Sequence, residues 1–360
     1  MRFMAACAVF VFHAGHFAQF RIPYVSNFGA EGVLVFFVLS GLVIAYSADT
    51  KHTDIIDFSL ARVARLWSVV LPALALTFVL DTVGQYLALA AYSPMQPYST
   101  FKWVASLLAN AFFLNQIWSF SVWPGTNGPF WSLSYEFWYY AIFASVFYFS
   151  GIVRVVVVAG TMLLAGPGIV SVLPVWSIGV VLYMVLKNGG TPDVGRGIIF
   201  WCASLAFAGI YSIVGAHDLL AQMTPLLPKL VAKEWEVNLW SESLVLGAIV
   251  GLNIYGFAGI SKGPFSNIKK YAPVVRSMAD TSFGLYLFHY PLMYFTKAVL
   301  TVAGVSGGWA FKTIIYVIPF TVSILLALKC ETYKRNLTRF LRSLALKAGY
   351  TMVSSKLSET

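Results

Sequence analysis

Long continuous runs of apolar residues, rather than alternation with polar ones, dominate this chain. Eleven segments stand out, at roughly 3–20, 29–48, 66–90, 102–118, 131–149, 152–169, 171–188, 197–215, 241–260, 280–300 and 309–329. Runs of about 18 or more apolar residues are what a membrane-spanning helix requires. Only helices and closed barrels satisfy their backbone in lipid, and unbroken runs select the helix. The pattern predicts an all-α, polytopic integral membrane bundle. Stretches 91–130 and 216–240, rich in Trp, Tyr, Pro and Asn, read as outer loops with interfacial belts.

The cations prune the eleven segments. If the N-terminus is cytoplasmic and 102–118 does not fully cross, 18 of the 24 Lys and Arg residues fall inside. Only Arg21, Lys102, Lys229, Lys233, Lys297 and Lys312 fall outside, the bias that the positive-inside rule demands. If 102–118 crosses, the bias largely vanishes. The expectation is therefore about ten transmembrane helices with both termini cytoplasmic. Segment 102–118 is expected to be re-entrant or interfacial, which needs protein or a cavity around it. Residues 1–335 form the expected transmembrane domain, and 336–360 a basic cytoplasmic tail suited to anionic lipid.

Composition agrees. Of 360 residues, 59% are hydrophobic and 11% charged, and mean hydropathy is +0.77. A soluble domain carries about 25% charged residues. The net charge of +10 is then topological, and nucleic acid is not an expected partner. Cys7, Cys202 and Cys330 are scattered, so neither a disulfide framework nor a metal site is indicated. Arg2 followed by Phe3–Phe12 resembles the start of a signal peptide, but two histidines interrupt it and no cleavage site follows closely. It reads as the first span, and its abrupt beginning leaves open a start inside a longer natural chain.

An ionisable residue in lipid costs on the order of 2.5–3.5 kcal/mol, so each is a functional candidate. Arg2 and His13 share the first segment, and eleven residues of helix put them about 16 Å apart. His16 follows one turn later and reads as interfacial, while His52 and His217 fall in loops. Glu31 starts the second segment, Glu136 sits at the outer end of the fifth, and His289 precedes Pro291. A neutral buried His can take a proton from an attacking alcohol, and Glu31 or Glu136 could fix its tautomer. A packing hydrogen bond between helices accounts equally for any one of these residues alone. Arg62 and Arg65 share a helix face and suit bidentate phosphate binding, although ordinary positive-inside anchoring explains them too. Ser132 and Glu136 also share a face, after a turn at Asn127-Gly-Pro.

Taken in order, five segments resemble the acyltransferase-3 family of membrane O-acyltransferases, which modify polysaccharides, lipopolysaccharide, Nod factors and related glycans. They are Arg2 to His13 (RFMAACAVFVFH), Gly32 to Gly41 (GVLVFFVLSG), Arg62 with Arg65, Trp131 to Glu136 (WSLSYE), and Tyr286 to Pro291 (YLFHYP). The resemblance implies transfer of an acyl group, usually acetyl, from acyl-coenzyme A on the cytoplasmic side to a glycan hydroxyl. No permanently bound cofactor is implied, and acetyl-CoA is the donor substrate. His13 would match the proposed base. Arg2, Arg62 and Arg65 would match positions that handle the coenzyme A phosphates. Ser40, Trp131, Ser132, Tyr286 and His289 fall within the motifs as substrate-positioning candidates. Many relatives carry an Asp where Leu34 stands here, so either Glu31 substitutes for it or His13 lacks that partner.

The resulting expectation is an O-acetyltransferase of a bacterial inner membrane. Acyl-CoA, a glycan or lipid-linked saccharide acceptor, and membrane lipids are its partners. The acceptor would pass Trp131 and Glu136. A transporter or flippase using the same intramembrane His, Glu and Arg is the alternative, although no two related halves are visible.

Overall fold

The computed structural model describes residues 1–22, 28–51, 54–92, 100–214, 220, 234–263 and 270–350, with backbone alone at 30, 100 and 234–240. His52 and His217 lie outside the described residues, as do Lys229, Lys233 and Lys269. Among the described residues the chain is helical and contains no strand.

Eleven α-helices are described, in the same order as the eleven apolar segments. They are α1 (Arg2–Phe17), α2 (Gly29–Lys51), α3 (Ile55–Leu87), α4 (Thr100–Ala111), α5 (Trp131–Tyr148), α6 (Gly151–Ala165), α7 (Pro167–Lys187), α8 (Val194–Val214), α9 (Glu234–Ile260), α10 (Ala272–Val302) and α11 (Gly308–Lys347). Six of them (α2, α3, α7, α8, α9 and α11) are long and apolar enough to cross a membrane, and α1 and α6 are apolar but shorter. α3 begins where Asp54 accepts a hydrogen bond from the Asp57 N–H at 2.8 Å, which satisfies one of the unpaired amides at a helix start.

Segment 102–118 forms only a 12-residue helix, about 18 Å long and well short of the ~30 Å hydrocarbon thickness. The chain then turns at Phe113 and Trp118, both at positive φ, and folds back on α4. Asn110 donates to the Val122 carbonyl at 3.2 Å, Ser106 donates to Trp123 O at 2.7 Å, and the Trp67 indole donates to Ala111 O at 2.9 Å. These bonds satisfy the irregular backbone within the protein.

α1 and α3 pack on α10, α10 packs on α11, and α2 joins α1 to α7. Glycines set the closest crossings. A Cβ on Gly41 would lie 2.1 Å from the Trp176 carbonyl oxygen, and one on Gly179 would lie 1.9 Å from that of Val38. Close approach through small residues is the usual way for membrane helices to gain packing. The glycine ending GVLVFFVLSG therefore serves the α2–α7 crossing, while neighbouring Ser40 faces α5.

α11 runs unbroken past residue 335 to Lys347, about 60 Å at 1.5 Å per residue. Its final turns pack on α3, where Arg342 pairs with Asp57 at 2.5 Å. The beginning of the basic tail is thus helix docked against the start of α3.

Candidate active site

Two polar clusters are strung along α1, one near each end. At its beginning, Arg2 lies 3.9 Å from Glu136 of α5. Ser40 donates to the same Glu136 oxygen at 2.9 Å, and the Tyr140 hydroxyl donates to it as well. A carboxylate is acceptor-only, so two hydroxyl protons and a guanidinium converge on one oxygen. The Arg2 Nε is buried without a hydrogen-bond partner. Arg62 reaches Ser47 at 3.2 Å, and its guanidinium stands 5.6 Å from the Phe58 ring centroid. Arg65, half-buried one turn on, makes no side-chain ion pair among the described residues. The two arginines leave α3 on one face because they are three residues apart.

The second cluster centres on His13. Its Nδ1 is 2.8 Å from Nε2 of His289 on α10, and the rings stack with centroids 5.1 Å apart. His289 Nδ1 is 2.9 Å from the Leu285 carbonyl oxygen. A carbonyl can only accept, so neutral His289 carries its proton on Nδ1 and offers the Nε2 lone pair. His13 must then donate from Nδ1, which leaves the lone pair on His13 Nε2 free. The arrangement is a proton-holding chain, Leu285 carbonyl to His289 to His13, and its open end is a base. Tyr290 stands edge-on to His13 with centroids 4.7 Å apart.

This geometry corrects the expected carboxylate partner. His13 bonds His289, and neither Glu136 nor Glu31 bonds it among the described residues. Glu136, in the second turn of α5, is held instead by Arg2, Ser40 and Tyr140. Eleven residues of helix separate Arg2 from His13. Glu31 sits in the first turn of α2, where negative charge complements the helix dipole.

Of the remaining candidates, Ser132 and Tyr286 join α5 to α10. The Tyr286 hydroxyl donates to the Pro129 carbonyl at 3.1 Å and lies 2.9 Å from Ser132 Oγ. The Tyr286 ring centroid is 6.3 Å from that of His289. Trp131 packs edge-on against Phe37 and Tyr135. These contacts make Ser132 and Tyr286 part of the frame around His289, while Trp131 packs α5 against α2.

Three polar residues escaped the sequence reading. Pro291 has no N–H for the carbonyl four residues back, that of Leu287. The Asn127 amide supplies the missing donor at 2.9 Å, and it also reaches Thr77 at 3.0 Å. Asp81, fully buried in α3, accepts from the Thr126 N–H at 2.8 Å and the Thr126 hydroxyl at 2.7 Å. It anchors the loop carrying Asn127, and a Cβ on Gly125 would lie 2.1 Å from its oxygen. Glu242, buried on α9, accepts from Tyr211 of α8. Asp81 and Glu242 could have been flagged by the cost of a carboxylate in an apolar segment. Asn127 had only the proline as a distant signal. No group of three or more His, Cys, Asp or Glu side chains arranged to hold a metal occurs among the described residues.

The chain matches the model of the acyltransferase-3 family, described as an acyltransferase domain, over residues 1–328. No curated protein and no solved structure matches it. A match across most of the chain, on a bundle with six helices able to cross a membrane, makes this an integral membrane protein that belongs to the acyltransferase-3 family of acyltransferases.

Proposed function

We propose that the protein transfers an acetyl group from acetyl-CoA to a hydroxyl of a cell-surface glycan or lipid-linked saccharide, with His13 as general base. The observation that carries this reading is the free lone pair on His13 Nε2, held by the His289–Leu285 chain. A base so oriented takes the acceptor proton as the oxygen attacks the thioester carbonyl; the C–S bond then breaks, and the coenzyme A thiolate leaves and takes up the proton, restoring neutral His13. As His13 gains that proton, its Nδ1–H becomes a charged donor and its bond to His289 strengthens. Stabilisation that grows toward the transition state raises the rate rather than merely tightening binding. No metal enters the proposal, and acetyl-CoA is a substrate rather than a resident cofactor.

At the other end of α1, Arg2, Arg62 and Arg65 are the donor's phosphate ligands. Guanidiniums bind phosphate oxygens by paired hydrogen bonds, and the unsatisfied Arg2 Nε supports this role. The long pantetheine arm suits the ~16 Å between Arg2 and His13 along α1. Glu136 keeps Arg2 in place and is a positioning residue. In this reading about ten helices cross a bacterial inner membrane, both termini are cytoplasmic, and the residues after 335 form a basic tail.

Membranes containing wild type or His13→Ala, matched for expression, are to be supplied with labelled acetyl-CoA. Label is expected in the glycan and glycolipid fraction with wild type and is expected to be lost with His13→Ala. Equal labelling by both would remove His13 as the base.

A further inference from the structure

Where α1 ends, the backbone does something costly. The Phe20 N–H bonds Gly15 O at 3.0 Å and the Gln19 N–H bonds His16 O at 3.3 Å, the paired closure that usually uses glycine at the left-handed position. Here that position is Gln19, at φ +47°. A side chain in this conformation costs on the order of 1 kcal/mol, and in exchange an amide is carried to the mouth of a cavity. The cavity measures about 470 Å³ and is lined by His16, Gln19, Arg21, Tyr294 and Lys297, among others. None of its lining residues is acidic. Neither Arg21 nor Lys297 has a carboxylate partner among the described residues, although they come from opposite ends of the sequence.

The cavity adjoins the base. Tyr294 lines it, stands 5.6 Å from Tyr290 between ring centroids, and Tyr290 in turn touches His13. Cations on the side of the membrane away from the N-terminus are few in the expected topology, and two of the six converge on this one concavity. Unpaired guanidinium and ammonium groups beside hydroxyl and amide donors are the chemistry of oxyanion binding.

We propose that this cavity is the acceptor site and that it selects an acceptor bearing phosphate or carboxylate charge. The anion docks on Arg21 and Lys297, and a hydroxyl of the same molecule reaches His13 past Tyr290. The acceptor therefore enters at the end of α1 rather than past Trp131 and Glu136. The assignment of the occupant as acceptor rests on the acyl-transfer reading above, whereas the charge selectivity of the cavity does not.

The test is binding to the purified full chain in lipid nanodiscs. The anionic probes are farnesyl diphosphate and glucuronic acid, with farnesol and glucose as neutral counterparts and acetyl-CoA as a separate arm. Wild type is expected to bind at least one anionic probe about tenfold more tightly than its neutral counterpart, the worth of one charge-assisted contact. Preference for the diphosphate indicates a lipid-linked phosphate acceptor, and preference for glucuronate an acidic sugar. Arg21→Glu with Lys297→Glu is expected to abolish the preference and leave acetyl-CoA binding unchanged, and Arg21→Gln with Lys297→Gln to weaken it partway. Equal binding of charged and neutral probes by wild type, or a preference that survives charge reversal, overturns the proposal. Failure of acetyl-CoA to bind wild type would instead count against the donor reading alone.

Discussion

Replacing His289 with Leu tests the histidine chain most directly. The substitution removes the acceptor of the 2.8 Å bond from His13 Nδ1 at a site that is fully buried. With neutral His13 that bond is worth about 1 kcal/mol, and with the imidazolium about 1.5–3 kcal/mol. Only the difference of about 0.5–2 kcal/mol bears on kcat, a factor of roughly 2 to 30. Loss of tautomer control adds a further factor of a few, because some His13 then carries its proton on Nε2. The expected fall is about tenfold, with a ceiling near 100-fold, against roughly 10²–10⁴ for His13→Ala. His289→Gln offers a carbonyl oxygen to the same N–H and is expected to recover most of the loss. His13→Ala combined with His289→Leu is expected to be no slower than His13→Ala alone, since the partner acts through the base. The assay is initial rate of label transfer from acetyl-CoA, resolved into kcat and KM, with expression and melting temperature matched. His289→Leu within twofold of wild type, or His289→Gln as slow as His289→Leu, would refute the relay.

Arg62→Gln is expected to raise KM for acetyl-CoA about tenfold with kcat little changed, one charge-assisted contact being lost, and Arg62→Lys to recover part of it; an unchanged KM would dissociate Arg62 from the donor. Asn127→Leu strips the Leu287 carbonyl of its donor and is expected to cost about 1–3 kcal/mol of stability, read as a lower melting temperature in detergent. Gly41→Ala forces Cβ against the Trp176 carbonyl and is expected to destabilise by about 1–3 kcal/mol. Gly160→Ala, with nothing within 4 Å of its Cβ, is expected to be neutral or stabilising by up to about 1 kcal/mol. Equal melting temperatures for those two variants would refute the close-crossing account of Gly41.

The bundle's elements were legible before folding because lipid imposes one rule on every span: satisfy the backbone internally and face hydrocarbon outward. Eleven apolar segments appear as the eleven described helices in the same order, and 102–118 holds the shortest of them, of 12 residues. Candidate residues were legible for the same reason, since charge in apolar surroundings is conspicuous. Pairings were not. His13 and His289 are 276 positions apart, and no local periodicity says which helix faces which. Sequence logic supplied His13 with a carboxylate, the commonest orienting partner, whereas the packing of α1 on α10 supplied a second histidine. Glu136 went to Arg2, whose side chain reaches it from the start of α1. The role of Asn127 was hidden in another way: it answers a vacancy in the backbone bonding of α10 created by Pro291, which exists only once the two elements touch. The chain alone thus determined helices, their order and an inventory of costly polar groups. Tertiary structure decided which of those groups share protons, because hydrogen bonds depend on distances of a few ångströms that helix packing sets.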